Sequence, residues 1–162
     1  MGTVITCGVY GFTAEAFEAA IVNAQPDVFV DVRRRRGVRG KQYSFANSKH
    51  LQDTLEKHGI TYIHRIDLAP SDSLVKLEGE IDKARHIARH DRVRLSEEFI
   101  NTYQNEVMKD FDARAFIESL GDVDRVLLLC VEATPDACHR GLLAGAIVDQ
   151  LGWNREDIIG QE

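Results

Sequence analysis

The sequence predicts an α/β fold: a mainly parallel sheet with helices on both faces, Rossmann-like, carrying a helical insertion over residues 71–120. Three observations carry this. Short apolar or β-branched runs alternate with segments of helical periodicity along the chain, the pattern of strand–helix–strand units. The most apolar run, 125–131, is followed at once by Thr134-Pro135, a capping residue and a proline at the first helical position. Finally, 162 residues with 44% hydrophobic and 28% charged content suffice for one compact core, so residues 1–162 are expected to form one domain.

The elements follow in order. Val4 to Val9 is a short apolar run ending at Gly8 and Gly11, a strand and a turn. Thr13 caps a helix whose Phe17, Ala20, Ile21 and Ala24 recur at helical spacing before Pro26. Residues 28–32 are β-branched and aromatic apart from Asp31, a second strand. A helix over 48–58 buries Leu51 and Leu55 and stops at Gly59, and 60–64 forms a third strand. Over 71–90 the spacing of Leu74, Leu77, Ile81, Ala84 and Ala88 predicts one long helix. Ser96 caps another with Phe99, Ile100, Tyr103 and Val107, and a shorter one carries Phe116 and Leu120 up to Gly121. The final helix is expected from Thr134 to about Leu151, with a short closing strand near 157–159.

Charge and composition exclude several classes. The 26 acidic and 20 basic residues give a net charge of −6, which argues against a wholly basic nucleic-acid coat but permits a local basic patch. No apolar run approaches the roughly 18–20 residues of a membrane helix. No secretion signal is expected from Met1 to Thr6, and three cysteines are too few and too odd for a secreted scaffold, so a cytoplasmic location is expected. No P-loop and no G-x-G-x-x-G occurs. No cofactor is implied.

In a parallel sheet, sites lie beyond the carboxyl ends of the strands. The polar residues expected there are Tyr10, Asp31, Arg33, His64, Cys130 and Glu132. The sharpest segment is Cys130-Val131-Glu132-Ala133-Thr134-Pro135-Asp136-Ala137-Cys138-His139-Arg140. Alternation puts Cys130 and Glu132 on one face of the strand end. The turn then delivers Cys138, His139 and Arg140 to the opening of the last helix, where free N–H groups favour a thiolate or a bound anion. Two kinds of site follow: a thiol nucleophile, or an anion cup in which Arg140 pairs with phosphate or carboxylate. A purely structural role would instead pack Cys138 under the helix, pair Arg140 with Glu132 and leave His139 as a cap or in water.

A second segment puts six basic residues into the nine positions 33–41, with glycines at 37 and 40 and with Tyr43 and Phe45 following. Arg33 and Arg39 suit phosphate, and the aromatics suit a base or the packing of the loop. The plain alternative is a solvated charge run. His64 with Asp67 could transfer a proton or be structural. Cys7, Cys130, Cys138 and His139 could in principle make a four-ligand zinc set, but the spacing matches no zinc-finger pattern, so no metal site is expected. Cys7 reads as a core thiol, and His86 and His90 read as surface residues.

These residues together resemble the Domain of Unknown Function 488 family. The resemblance rests on the strand and turn Ile5 to Gly11, on Asp31-Val32-Arg33 with Arg39 and Phe45, and on Gly59, Ile60, Tyr62 and His64. Its most specific part is a Cys-x-Glu-x-x-Pro-x-x-Cys-His-Arg signature at Cys130, Glu132, Pro135, Cys138, His139 and Arg140. It departs at Arg36-Gly37-Val38, where the family usually has proline and serine, and at Leu68-Ala69-Pro70, where Leu-Gly-Gly is common. The resemblance implies the fold and the site positions, not an activity.

Three functions follow as expectations. The first is an enzyme acting on a phosphate-bearing or nucleic-acid-related substrate. In it Cys138 is the nucleophile, Glu132 or His139 carries the proton, and Arg33, Arg39 and Arg140 hold the anion. The second is a non-catalytic nucleotide or nucleic-acid binding module using the arginine loop. The third is a redox-responsive thiol protein using Cys130 and Cys138. A small anionic ligand, a nucleic acid or a second copy of the chain are the partners these admit, with no membrane. Trp153 is a packing residue or an interface anchor, and the insertion a lid or a dimer face.

Overall fold

The structure, a computed structural model, describes residues 1–161. Five parallel strands form the sheet: β1 (Thr3–Cys7), β2 (Val28–Asp31), β3 (Thr61–His64), β4 (Arg125–Leu129) and β5 (Asn154–Ile158), in the order β3-β2-β4-β1-β5. Six α-helices accompany them: α1 (Ala14–Ala24), α2 (Ser48–Lys57), α3 (Asp72–Ala84), α4 (Glu97–Glu106), α5 (Ala113–Ser119) and α6 (His139–Leu151). No described helix is long and apolar enough to cross a membrane.

Alternation along the strands creates two cores. Ile5, Cys7, Phe29, Leu127 and Leu129 face α1 and α2, where Phe17, Ile21, Leu51 and Leu55 meet them. Val4, Val28, Val30, Val126 and Leu128 face the other way, against Phe116 of α5 and Leu143 and Ile147 of α6. The inner strands β1, β2 and β4 are apolar on both sides because both sides are covered, while the edge strand β5 is polar and exposed. Burying each of these Leu, Ile or Phe side chains is worth about 1.5–3 kcal/mol.

The expected α/β class, with helices on both faces, is what forms, and the strand order positions the site. A dinucleotide-type sheet would set β1 beside β2. Here β4 lies between them, in register with both. The connection from β1 through α1 to β2 passes over β4, and that from β4 through α6 to β5 passes over β1 in the opposite direction. The carboxyl ends of β1 and β4 therefore border a topological switch point, the place where such sheets hold ligands. Gly8 is required there: a Cβ on it would stand 2.1 Å from the Glu132 carbonyl oxygen.

Capping follows the sequence in part. The side chains of Thr13 and Ser96 accept hydrogen bonds from the N–H groups of Ala16 and Phe99 as expected, and Ser71 does the same for Leu74. Two expectations are corrected. The helix over 71–90 ends at Ala84, His86 takes a left-handed φ of 58°, and Ala84 and Ala88 are exposed. Two small alanines had extended an apparent stripe that nothing packs against. Nor does Thr134 cap the last helix. It leads into a 3-10 turn, Pro135–Ala137, and an extended Cys138 becomes the N-cap of α6. That turn folds so tightly on the helix that a Cβ at Gly141 would stand 2.3 Å from the Pro135 carbonyl oxygen.

The segment expected as an insertion divides. α5 belongs to the cover of the sheet, with Ala113 and Phe116 in the core beside α6. α3 and α4 form an extra layer with its own cluster of Leu74, Leu95, Phe99 and Tyr103. Trp153 packs over Gly2 against the sheet and stays partly exposed.

Candidate thiol–imidazole site

Cys130 follows β4 directly, and Cys138 and His139 open α6. The Cys130 N–H bonds to the Cys7 carbonyl at 3.2 Å, and the Val9 and Tyr10 N–H groups bond to the Val131 carbonyl at 2.9 and 3.1 Å. These bonds carry the strand register into the loop and fix Cys130 and Glu132 at the switch point. All of Cys130, Glu132, Cys138, His139 and Arg140 are buried.

His139 is the hub. Its Nε2 lies 2.7 Å from the Val32 carbonyl oxygen. A carbonyl only accepts, so Nε2 carries the hydrogen and Nδ1 faces the sulfurs. Nδ1 is 3.5 Å from Cys138 Sγ and 3.8 Å from Cys130 Sγ. The three donor atoms lie within 4.8 Å of one another. The Tyr103 ring meets the imidazole edge-on at 5.6 Å and donates its hydroxyl to the Leu68 carbonyl at 2.6 Å.

Charges around the sulfurs push them apart. Burial alone would raise the Cys138 thiol. The Cys130 hydrogen bond, the charge and hydrogen bond of His139 and the charge of Arg140 outweigh burial and hold it well below the ordinary thiol range. Cys130 goes the other way: burial, its hydrogen bond to Cys138 and the negative charges of Cys138 and Glu132 push it well up. Burial would lower His139, but Cys138 beside it raises it. Burial and the Cys138 charge raise Glu132 against the pull of Arg89 and Arg92. These directions favour proton transfer from Cys138 to His139 and leave Cys130 the thiol that holds its proton.

Glu132 is held by residues the sequence reading did not single out. Its Oε1 accepts from Arg89 Nε at 2.9 Å and Arg92 Nη1 at 3.3 Å, while Oε2 faces Cys130 Sγ at 3.7 Å. Both arginines come from the chain between α3 and α4, so the extra layer covers the site. Nothing in the sequence marks them: Arg89 falls on the polar side of the run read as a helix, and Arg92 in the short polar stretch after it.

The arginines expected to bind an anion are placed differently from one another. Arg33 is buried in a two-bond pair with Asp31, both contacts 2.8 Å, and also donates to the Ala46 carbonyl. Tyr62 adds its hydroxyl to Asp31 at 2.6 Å. Arg140 does not pair with the Glu132 carboxylate. It donates to the Glu132 carbonyl at 2.8 Å, and its Nε is buried without a partner. Arg39 is exposed on its loop. His64 lies on the Arg33 carbonyl at 2.8 Å, and Asp67 pairs with Arg65, so the two do not form a proton relay. Tyr10 is half-buried at the rim, edge-on to Tyr43 at 5.2 Å and to His90 at 6.2 Å. Cys7 lies in the opposite core and does not join the other two thiols.

The fold and this cluster define an α/β protein with a buried cysteine–histidine centre at the carboxyl edge of its sheet. The chain belongs to the family described as Domain of unknown function DUF488, whose model matches residues 13–147. No curated protein and no solved structure matches the chain at a significant level.

Proposed function

We propose that the protein is an enzyme that uses the Cys138 sulfur as a nucleophile on a phosphate-bearing or nucleic-acid-related substrate. The observation that carries this is positional. Cys138 caps α6 at the switch point with His139 Nδ1 3.5 Å away, and the hydrogen bond to Val32 fixes that ring's orientation. His139 takes the thiol proton, and the N-terminal field of α6 supports the sulfur charge. Glu132, whose carboxyl is raised, is the proton donor for a departing group. Asp31, Arg33, Cys130, Arg140 and His64 act as the frame of the site. Arg39 and Arg35, both exposed on the same loop, attract the substrate phosphate, with Tyr10 at the entrance. Arg89 is half exposed over Glu132 and is the part of the cover a substrate displaces first.

The test is alkylation by iodoacetamide of metal-free, reduced protein, read by peptide mass. Cys138 is expected to react at least tenfold faster than Cys7, and His139→Gln is expected to remove most of that advantage. Arg39→Ala should leave the labelling rate unchanged and weaken binding of a nucleoside monophosphate. A Cys138 no more reactive than Cys7 overturns the nucleophile. If nucleotide then still binds and the binding is lost in Arg39→Ala, the protein is a binding module instead.

A further inference from the structure

We propose that Cys130, Cys138 and His139 form a three-ligand site for a thiophilic divalent cation, of which zinc is the representative. The donor spacing argues for it. In a tetrahedral zinc site, Zn–S is about 2.3 Å and Zn–N about 2.0–2.1 Å, so sulfur and nitrogen ligands stand roughly 3.6 Å apart. The observed distances from His139 Nδ1 are 3.5 Å to Cys138 Sγ and 3.8 Å to Cys130 Sγ. With all three atoms within 4.8 Å of one another, one ion reaches each of them.

The second argument is the outer shell. A ligating imidazole ordinarily donates its other N–H to a backbone carbonyl or carboxylate, which fixes the ring and its tautomer. His139 does so, to the Val32 carbonyl at 2.7 Å. Glu132 stands next to the trio: Arg89 and Arg92 hold Oε1, and Oε2 is 3.7 Å from Cys130 Sγ. Three protein ligands is the count of a reactive rather than a closed structural zinc site, and the Glu132 carboxylate lies beside them. Binding releases two protons in all, one from the Cys130 thiol and one from the Cys138–His139 pair, and two thiolates balance the charge of the ion in a buried place. The chain spacing resembles no zinc finger because the ligands come from a strand end and a helix start that only the fold brings together.

The inference shares the Cys138 sulfur with the proposed function but does not require it. A zinc-bound sulfur is still a thiolate, the nucleophilic form.

The experiment is titration of reduced, metal-free full-length protein with cobalt(II), followed by zinc. One cobalt per chain is expected, with thiolate-to-metal charge transfer in the near ultraviolet and the strong visible bands of tetrahedral coordination. One equivalent of zinc should abolish both. Cys138→Ser and Cys130→Ser should each lose at least half of the charge-transfer intensity, and Cys7→Ser should keep all of it. His139→Ala should shift the visible bands and weaken binding. Weak octahedral absorption alone, or full intensity in Cys138→Ser, overturns the site. The wild-type spectrum decides the matter even where a serine variant fails to fold. Tetrahedral cobalt bands with an unreactive Cys138 in the metal-free protein would sink the nucleophile reading and leave the metal site standing. Fast alkylation without such bands would do the reverse.

Discussion

At the scale of single residues, two buried groups lend themselves to measurement, one in the core and one in the frame of the site. Cys7 faces the apolar core, and burial pushes its thiol up to about 12 despite the Arg140 charge nearby. The unfolded chain gives up that proton near the ordinary thiol pKa of about 8.5, while the folded chain keeps it. The unfolded state therefore binds fewer protons between roughly pH 9 and 12, and stability falls as pH rises through that window. Wild type should lose up to about 1.4 kcal/mol per pH unit more than Cys7→Ala there, in urea midpoints taken across the range. Equal slopes would place Cys7 in a wetter setting. The second group is the Asp31–Arg33 pair. Asp31→Ala leaves a buried guanidinium uncompensated and should cost about 3–5 kcal/mol. Tyr62→Phe removes one hydrogen bond to the same carboxylate and should cost about 1 kcal/mol. Similar losses from the two would mean that the pair is not what anchors the strand end. Strand alternation places Asp31 and Arg33 on one face, and the turn at Thr134-Pro135 places Cys138, His139 and Arg140 together at a helix start. Neither reveals what each side chain bonds to. In the sequence Arg33 reads as free for an anion although Asp31, two residues before it, takes up its guanidinium, and the carbonyls that take up Arg140 leave no trace in a sequence.

At the scale of elements, local chemistry was legible wherever it is local. Thr13 and Ser96 cap helices for reasons contained in a few residues, and the apolar spacing of Phe17 and Ile21 or Leu51 and Leu55 finds the sheet. The reading failed where distant residues decide. Pro135 marks a helix start in isolation, but the Leu95 N–H bonds to the Asp136 carbonyl at 2.9 Å, and the turn there becomes 3-10. Ser96 shows the two levels meeting. Its hydroxyl caps α4 and also donates to Glu78 of α3 at 2.6 Å, and its N–H adds a second bond to the same buried carboxylate at 2.8 Å. Ser96→Ala therefore loses a cap, worth about 1 kcal/mol, and strips a partner from a buried acid, worth about 1–3 kcal/mol more. Ser96→Thr keeps the hydroxyl and should recover most of the loss in thermal unfolding. A loss below 1 kcal/mol in Ser96→Ala would show that α4 holds its place without this link.

At the scale of the whole molecule, the two-sided sheet was legible because strands buried on both faces read as continuous apolar runs. That same uniformity hid their order, since nothing in an apolar strand names its neighbour. The extra layer of α3 and α4 was visible only as helices, and one side chain carries much of its polar contact with the site loop. Arg92 donates to Asp82 at 2.6 Å through Nη2 and at 3.0–3.2 Å through Nε, and reaches Glu132 and the Ala137 carbonyl at 3.3 Å through Nη1. It ties α3 to the loop that carries the site. Arg92→Met leaves the buried Asp82 carboxylate unpaired and should cost about 3–5 kcal/mol. Adding Asp82→Leu removes the stranded charge, so the double variant should recover most of that stability while the tie stays cut. Hydrogen exchange then separates stability from attachment. In the double variant, amides of α3 and α4 should exchange faster while those of β1 and β4 stay protected, because the layer keeps its own cluster of Leu74, Leu95, Phe99 and Tyr103 but loses its polar anchor. Alkylation of Cys138 should rise in step, since Arg89 and Tyr103 travel with that layer. Unchanged exchange in α3 and α4 would show that Tyr103 and the apolar cluster alone hold the cover in place. Access to the sulfur would then have to be governed by the rim at Tyr10.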